Sequence, residues 1–554
     1  MWPVLSTGLH APSFVDGPCR FKDVPVRQSP SGDTSSGQCL QSVKLWLKEC
    51  LEGHSQCKRQ IEAPLPRRVI DINSRPLRLV ETNNETGRYI CLSHCWGKKT
   101  PRMQTTTRTI EEYRKELCWE RLPRTFKDAI IFAKKLGAQY IWIDRFCIVQ
   151  DDPADWEMES SKMAAIYANA FLTIAASRAH NSTEGCFSCS RVAYRKIDIE
   201  ISGGIYAPLF VRQGLAHPYW PGDLVMTHSQ YLFHQPDKFP LLSRGWVYQE
   251  RLLSRRVIHF GPHELAWECS TSAACECRGW YEGEGYVVYG QRQHSASTKL
   301  RHALSLRMGR DYIAKRWREI VGEYSGLSLT YLKDRLPALS GTAKEVQQVN
   351  GDRYLAGLWM RSLPQDLLWY SGNPLTDLSH RLLAPSWSWA SVSGRVVYED
   401  ADVATTKSAK AIRAECITAG CDPTGQVASG KMTTHCRLLT AKIHIHSDQR
   451  NLNRISADGK DLIFRADYLM MLDKDMDFVE PKGNSAWLES SLDVYLLHLA
   501  TKGSSTCIFL VLKAVNRTAQ TYERIGIAEN IFYRGALSAF VPAGGVEEHE
   551  ISIV

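Results

Sequence analysis

The chain has 554 residues, more than one hydrophobic core usually serves, so its length predicts two or three domains. Hydrophobic residues make up 44% and charged residues 23%, and a formal net charge of +9 without any long Lys/Arg run argues against a nucleic-acid-binding arm. No run approaches 18 apolar residues and the start "MWPVLSTGLHAPSF" lacks the features of a signal peptide; with 17 scattered cysteines, an odd number, this predicts a cytoplasmic chain with free thiols and no membrane span.

Residues 1–40, rich in Pro, Ser and Gly, read as a flexible leader. Residues 41–87 hold a helix, "VKLWLKECLEGHSQC" at 43–57, and then the extended "APLPRRVIDI". The clearest alternation follows, within 88–270. "RYICLSH" is a short apolar run that suits a buried strand. "LPRTFKDAIIFAKKLG" places Pro123 near its start, Phe126, Ala129, Ile130 and Ala133 on one face and Gly137 at its end, which predicts a helix. "QYIWID" is a second strand. "DPADWEMESSKMAAIYANA" is a second helix, with Asp152 or Asp155 as N-cap, and "FLTIAAS" is a third strand. Strands alternating with helices predict a parallel sheet covered on both faces. A short helix and a strand are expected over 244–261, with "HELAWECS" continuing as strand. Residues 271–400 read as mainly helical, with a helical pair at 310–346. Residues 401–435 read as a mobile loop and 436–554 as a β-rich region.

In open parallel sheets ligands bind beyond the carboxyl ends of the strands. That rule selects Ser93, His94, Trp96 and Gly97 after the first strand, Asp144 and Arg145 after the second, and Ser177 and Arg178 after the third. The first turns of the second helix bring Trp156 and Glu159 to the same edge. Such a mixture suits a ligand with an aromatic base and sugar hydroxyls or phosphates. The blander alternative makes Trp96 and Trp142 core aromatics and Asp144 a structural acid paired with Arg145.

These stretches resemble the fungal heterokaryon-incompatibility (HET) domain. "YICLSHCWG" at 89–97 resembles its opening motif, residues 122–176 its centre, and "SRGWVYQERLLSRRVIHFGPHELAWEC" at 243–269 its closing motif. "DRLPALSGTA", "YLAGLW", "LLWY" and "PSWSWAS" resemble the region that commonly follows. The family usually has Ser-Leu after the central Asp, where this chain has Arg145-Phe146, and Pro where it has Arg255. The resemblance implies fungal non-self recognition leading to programmed cell death. It also implies a distant likeness to TIR domains, hence a flavodoxin-like parallel sheet followed here by a helical segment and a β-rich C-terminal region. Some TIR domains hydrolyse NAD with a glutamate shortly after a tryptophan, a position that falls on Glu159 after Trp156.

Splitting nicotinamide from ribose develops an oxocarbenium-like centre that a carboxylate can stabilise. Glu159 is the first candidate for that role and Asp144 the second, with Trp96 or Trp156 stacking on a base and Arg145 or Arg178 meeting phosphates. Gln249, Glu250 and Arg251 read as structural neighbours fixing a helix to the sheet. NAD enters as a substrate, and no cofactor is required. The alternatives are a non-catalytic signalling or self-association module with a protein partner, or a metabolic protein that has borrowed the domain. Cys50, His54 and Cys57 form C-x3-H-x2-C on one helix face, three donors where a structural zinc site needs four. Cys39 is the nearby cysteine that would complete the set, and a packed helix face is the stronger expectation. Cys275 and Cys277 form C-x-C, too tight for a zinc knuckle. His444 and His446 alternate as a solvated pair. Adjacent His94 and Cys95 face opposite ways along a strand and do not form a dyad.

Overall fold

The computed structural model describes residues 7–10, 29–57, 62–97, 103–190, 192–202, 204–213, 215–218, 237–277, 286–288, 291–293, 308–374, 383–399, 403–445, 454–457, 460–467, 478–479, 489–503, 506–530 and 548–554. Most of the expected leader and His446 lie outside them. The chain divides into two compact units, Met1–Ser305 and Leu306–Val554.

The first unit is built on an eight-stranded sheet. Its strands are β1 (Arg68–Asp71), β2 (Arg78–Glu81), β3 (Tyr89–Ser93), β4 (Tyr140–Trp142), β5 (Leu172–Ala175), β6 (Arg256–Phe260), β7 (Leu265–Cys269) and β8 (Ala273–Cys275). Across the sheet they run β8-β7-β6-β5-β3-β4-β1-β2. The four central strands are parallel, with Ile90 opposite both Ile141 and Leu172 and Ile174 opposite Ile258. Every residue of β3, β5 and β6 is buried, as strands covered on both faces require. The flanking strands correct the all-parallel expectation: β1 runs antiparallel to β4, and β7 antiparallel to β6. The link between Phe260 and Leu265 is too short for a crossover, so β7 returns as a hairpin.

The helices follow the sequence closely. α1 (Gly37–Gly53) begins before the expected leader ends and is capped by the Ser36 side chain. α2 (Ile110–Lys115) is short. α3 (Arg124–Lys135) buries Phe126, Ala129, Ile130 and Ala133, and Gly137 stops it at φ +75°. α4 (Asp144–Cys147) is a single turn that starts at the end of β4. α5 (Pro153–Asn169) takes Asp152 as N-cap, its carboxylate accepting from the amides of Ala154 and Asp155, with Pro153 in the first turn. α6 (Gly245–Leu253) is buried along most of its length.

The second unit contains α7 (Arg310–Tyr324), α8 (Pro337–Asn350) and a strand-rich region. Its aromatic motifs are core. The Trp317 and Trp389 indoles both donate to the carbonyl of Gly357, at 2.8 and 3.0 Å. A Cβ on Gly357 would stand 2.3 Å from Trp389 Nε1, so "YLAGLW" needs its glycine for "PSWSWAS" to pack. The Ala/Thr/Ser/Lys-rich stretch expected as a mobile loop forms strands instead, at Val403–Thr405, Arg413–Thr418 and Val427–Cys436, with a helical turn at Lys407–Lys410. Strand partners elsewhere in the chain, such as Ile551 and Ile553 of the last strand, outweigh its weak local propensity. Beyond it, the strands Leu439–Ile445, Arg454–Ala457, Lys460–Ala466, Thr521–Asn530, Thr506–Asn516 and Glu489–Lys502 pair in that order and close on the first, forming an antiparallel barrel. Alternate residues such as Ile443, Phe464, Val494, Phe509 and Ile525 fill its core. No helix among the described residues is long and apolar enough to cross a membrane.

Candidate functional site

In chain order the four parallel strands lie 2-1-3-4 across the sheet, so the order reverses between β3 and β5. A crevice rule for open sheets places ligands at that reversal, beyond the strand carboxyl ends. β3 ends there on Ser93, whose hydroxyl donates to Glu250 Oε2 of α6 at 2.5 Å. Tyr167 of α5 reaches the same carboxyl. Burial pushes the Glu250 carboxyl up to about 7, against the hydrogen bond from Ser93, and the Asp144 charge pushes it further the same way.

Three residues after Ser93, the Trp96 indole donates to Asp144 Oδ2 at 2.8 Å, while the other Asp144 oxygen accepts from the Arg145 amide at 2.7 Å. Asp144 keeps 21% of its side chain exposed, so it is the carboxylate of this edge that solvent reaches. His94 Nδ1 lies 3.7 Å from Asp144 Oδ1, beyond hydrogen-bond length, and the ring packs edge-on against Phe126. Burial lowers the imidazole to about 4 and keeps it neutral. Arg244 Nη1 donates to the His94 carbonyl at 3.1 Å and fixes the turn. Gly97 is exposed at φ +79°.

Arg145 is not laid open to a phosphate. It is 2% exposed, its guanidinium lies 4.9 Å from the Trp96 ring centroid, and Nη1 donates to Ser182 Oγ at 3.2 Å. In place of the Asp144–Arg145 side-chain pairing of the blander alternative, the structure shows the Arg145 backbone amide donating to Asp144, while its guanidinium turns to Trp96 and Ser182. Trp156 packs edge-on against Trp246 of α6, with centroids 6.4 Å apart. Arg178 donates to the Phe187 carbonyl at 3.2 Å.

Glu159 stands apart from this group. It is fully buried, and neither carboxylate oxygen accepts a hydrogen bond from a described residue. Lys162 Nζ is 3.9 Å away, and the other main charges acting on it are Arg68, Asp155 and Arg67. Burial raises its carboxyl above the ordinary range. Next to it, Asp155 holds Arg68 Nη2 at 2.6 Å through Oδ1 and the Val149 amide at 2.8 Å through Oδ2, which ties the start of α5 to β1.

Ser177 belongs to a buried polar chain that sequence reasoning missed. Its hydroxyl is 3.0 Å from His259 Nδ1, and His259 Nε2 is 3.3 Å from Glu268, which also accepts from Arg251 Nε at 2.7 Å. Burial lowers His259 to about 4. Ser177 and His259 are both fully buried, so this hydroxyl–imidazole–carboxylate series braces β5, β6 and β7 without access for a substrate. Gln249 is buried on α6, directly before Glu250 and Arg251. The thiols near the edge are unsuited to nucleophilic work: burial raises Cys95, and it pushes Cys147 to about 12. The described cysteines are all free.

Among the described residues, two groups of side chains can hold a metal ion. One is Cys50, His54, Cys57 and Cys269; the other is His217, Glu264, Cys275 and Cys277. The donor that joins the C-x3-H-x2-C spacing is Cys269 of β7, in place of Cys39. Cys39 points instead to Glu276 Oε1 at 3.0 Å. The C-x-C pair likewise gains partners through the fold, with Cys277 Sγ 3.5 Å from His217 Nε2.

Residues 89–250 match the family model "Heterokaryon incompatibility protein (HET)", so this part of the chain is a HET domain. No curated protein and no solved structure matches the chain.

Proposed function

We propose that this HET domain is the effector of a fungal non-self response ending in programmed cell death, and that its carboxyl-edge site cleaves the nicotinamide–ribose bond of NAD. The 2-1-3-4 order of the parallel strands supports a flavodoxin-like, TIR-like reading of the fold. The observation that carries the reading is the convergence beyond the carboxyl ends of β3 and β4 of Ser93, the Glu250 carboxyl and the solvent-reached Asp144 carboxylate, with the Trp96 indole bonded to it. A carboxylate beside the ribose holds its hydroxyls and stabilises the positive ribosyl centre as the C1′–N bond breaks. Nicotinamide leaves with the bond's electron pair, water adds to C1′, and one proton is released with ADP-ribose. Trp96 offers a stacking face.

The test is nicotinamide release from NAD by the purified full chain. Release is expected, and Asp144→Asn is expected to lower it roughly hundredfold. Glu159→Gln separates the two carboxylates: a comparable loss makes Glu159 the catalytic acid carried over from the resemblance, and unchanged release leaves the role with Asp144. No release from the parent chain, or release from both variants equal to the parent's, removes the catalytic reading.

Arg145 favours a second reading. Stacked under Trp96 and bonded to Ser182, it fills the edge where the family usually has a small serine. The edge then serves self-association or a protein partner in the cytoplasm. Sedimentation of the parent chain and of Trp96→Ala at micromolar concentration tests it, a shift from oligomer to monomer being the expected result.

A further inference from the structure

At the edge of the sheet opposite Ser93, we propose that Cys50, His54, Cys57 and Cys269 bind one zinc ion that fastens the segment before the HET domain to the strand after it. α1 ends at Gly53, His54 is its C-cap, and the 3-10 turn Ser55–Cys57 brings Cys57 back beneath Cys50. Cys269 closes β7 opposite Arg256, the first residue of β6. His54 and Cys269 are 215 residues apart in the chain, yet His54 Nδ1 and Cys269 Sγ are 3.4 Å apart.

The four donor atoms all lie within 4.8 Å of one another. A tetrahedral site with Zn–S of about 2.3 Å and Zn–N of about 2.0 Å places neighbouring donors roughly 3.5–3.8 Å apart, so only small adjustments separate this cluster from a ligand set. The surroundings are those of thiolates. The amides of Thr271 and Ser272 point at Cys269 Sγ, at 3.5 and 3.3 Å, and Arg256 Nε points at Cys50 Sγ at 3.3 Å. Arg256 also donates to the Cys57 carbonyl at 2.8 Å. Three thiolates and a divalent ion leave one net negative charge, which the adjacent guanidinium neutralises. Three soft donors and an imidazole select zinc over magnesium or calcium, and a complete set of four protein donors is the mark of a structural site. A disulfide is the poorer use of the cluster, because pairing any two of three thiols strands the third.

The experiment is the zinc content of the full chain purified without chelator, read as the difference between parent and variants. Metal at His217, Glu264, Cys275 and Cys277 contributes equally to both and cancels. Cys269→Ser and His54→Ala are expected to carry one zinc per chain fewer, whereas His54→Cys, which supplies a fourth thiolate, retains it. A parent with no more zinc than a folded Cys269→Ser variant overturns the proposal. If that variant does not fold, a Cys277→Ser chain, in which the other cluster is broken, decides: dialysis against a strong chelator is expected to lower its melting temperature and added zinc to restore it, and an unchanged melting curve overturns the proposal.

Discussion

The two edges of the first unit's sheet carry different polar side chains and end in different chemistry. At the carboxyl edge the strands stop on Ser93 and Ala175, and the groups beyond them differ sharply in exposure: Asp144 is wet, Glu250 and His94 are buried. At the amino edge the donors are three buried sulfurs and one imidazole, all turned toward one point. A mixed set with separated proton affinities suits a ligand that comes and goes, and a closed set of four suits one that stays. Strand direction sets this division. Helix N-termini and loop ends gather at the carboxyl edge of parallel strands, while the returning strand β7 brings Cys269 to the other end.

The largest effect is expected from chelation, which is expected to lower the melting temperature of a Cys277→Ser variant, whose remaining cluster is the amino-edge one, by about 10 °C or more. Next is Asp155→Ala. It leaves Arg68 buried without its carboxylate and is expected to cost about 3–5 kcal/mol in urea unfolding, a loss that zinc does not alter. Glu250→Gln should reveal itself in pH dependence. Burial raises the folded carboxyl from 4.5 to about 7, so between those values the folded chain keeps a proton the unfolded chain has released. That stability is fully present below pH 4.5 and is lost as pH rises through 7, by on the order of 3 kcal/mol. The glutamine variant is expected to abolish this slope, and an unchanged slope would show that the proton sits elsewhere. His94 acts in the opposite sense, losing stability as pH falls from 6.5 to about 4. The smallest effect is expected from Trp96→Phe, which removes one hydrogen bond to a carboxylate that water can reach and costs about 1 kcal/mol, again by urea unfolding.

Much of the first unit was legible along the chain. The helix at 124–135 follows from Pro123, its apolar face and Gly137, and α5 from Asp152 and Pro153, because these signals act within a few residues. The positions Ser93, Trp96 and Asp144 were reached from strand ends alone, and the fold puts Trp96 and Asp144 in contact. Their meeting with Glu250 was not legible. Its sequence context, between Gln249 and Arg251, fits any internal helix, and only the packing of α6 over β3 makes it a partner of Ser93. Residues 403–436 misled for the reverse reason: small polar residues look loop-like until a sheet supplies their hydrogen bonds.

The sequence by itself determined the alternation of strands and helices, the HET motifs and three of the four donors of the amino-edge cluster, since each is a matter of spacing within one turn or one strand. Tertiary structure alone decided which carboxyl is buried, that Arg145 lies beneath Trp96 instead of facing a ligand, and that Cys269 is the fourth donor. Burial and long-range pairing set those outcomes, and neither is written in any local stretch of the chain.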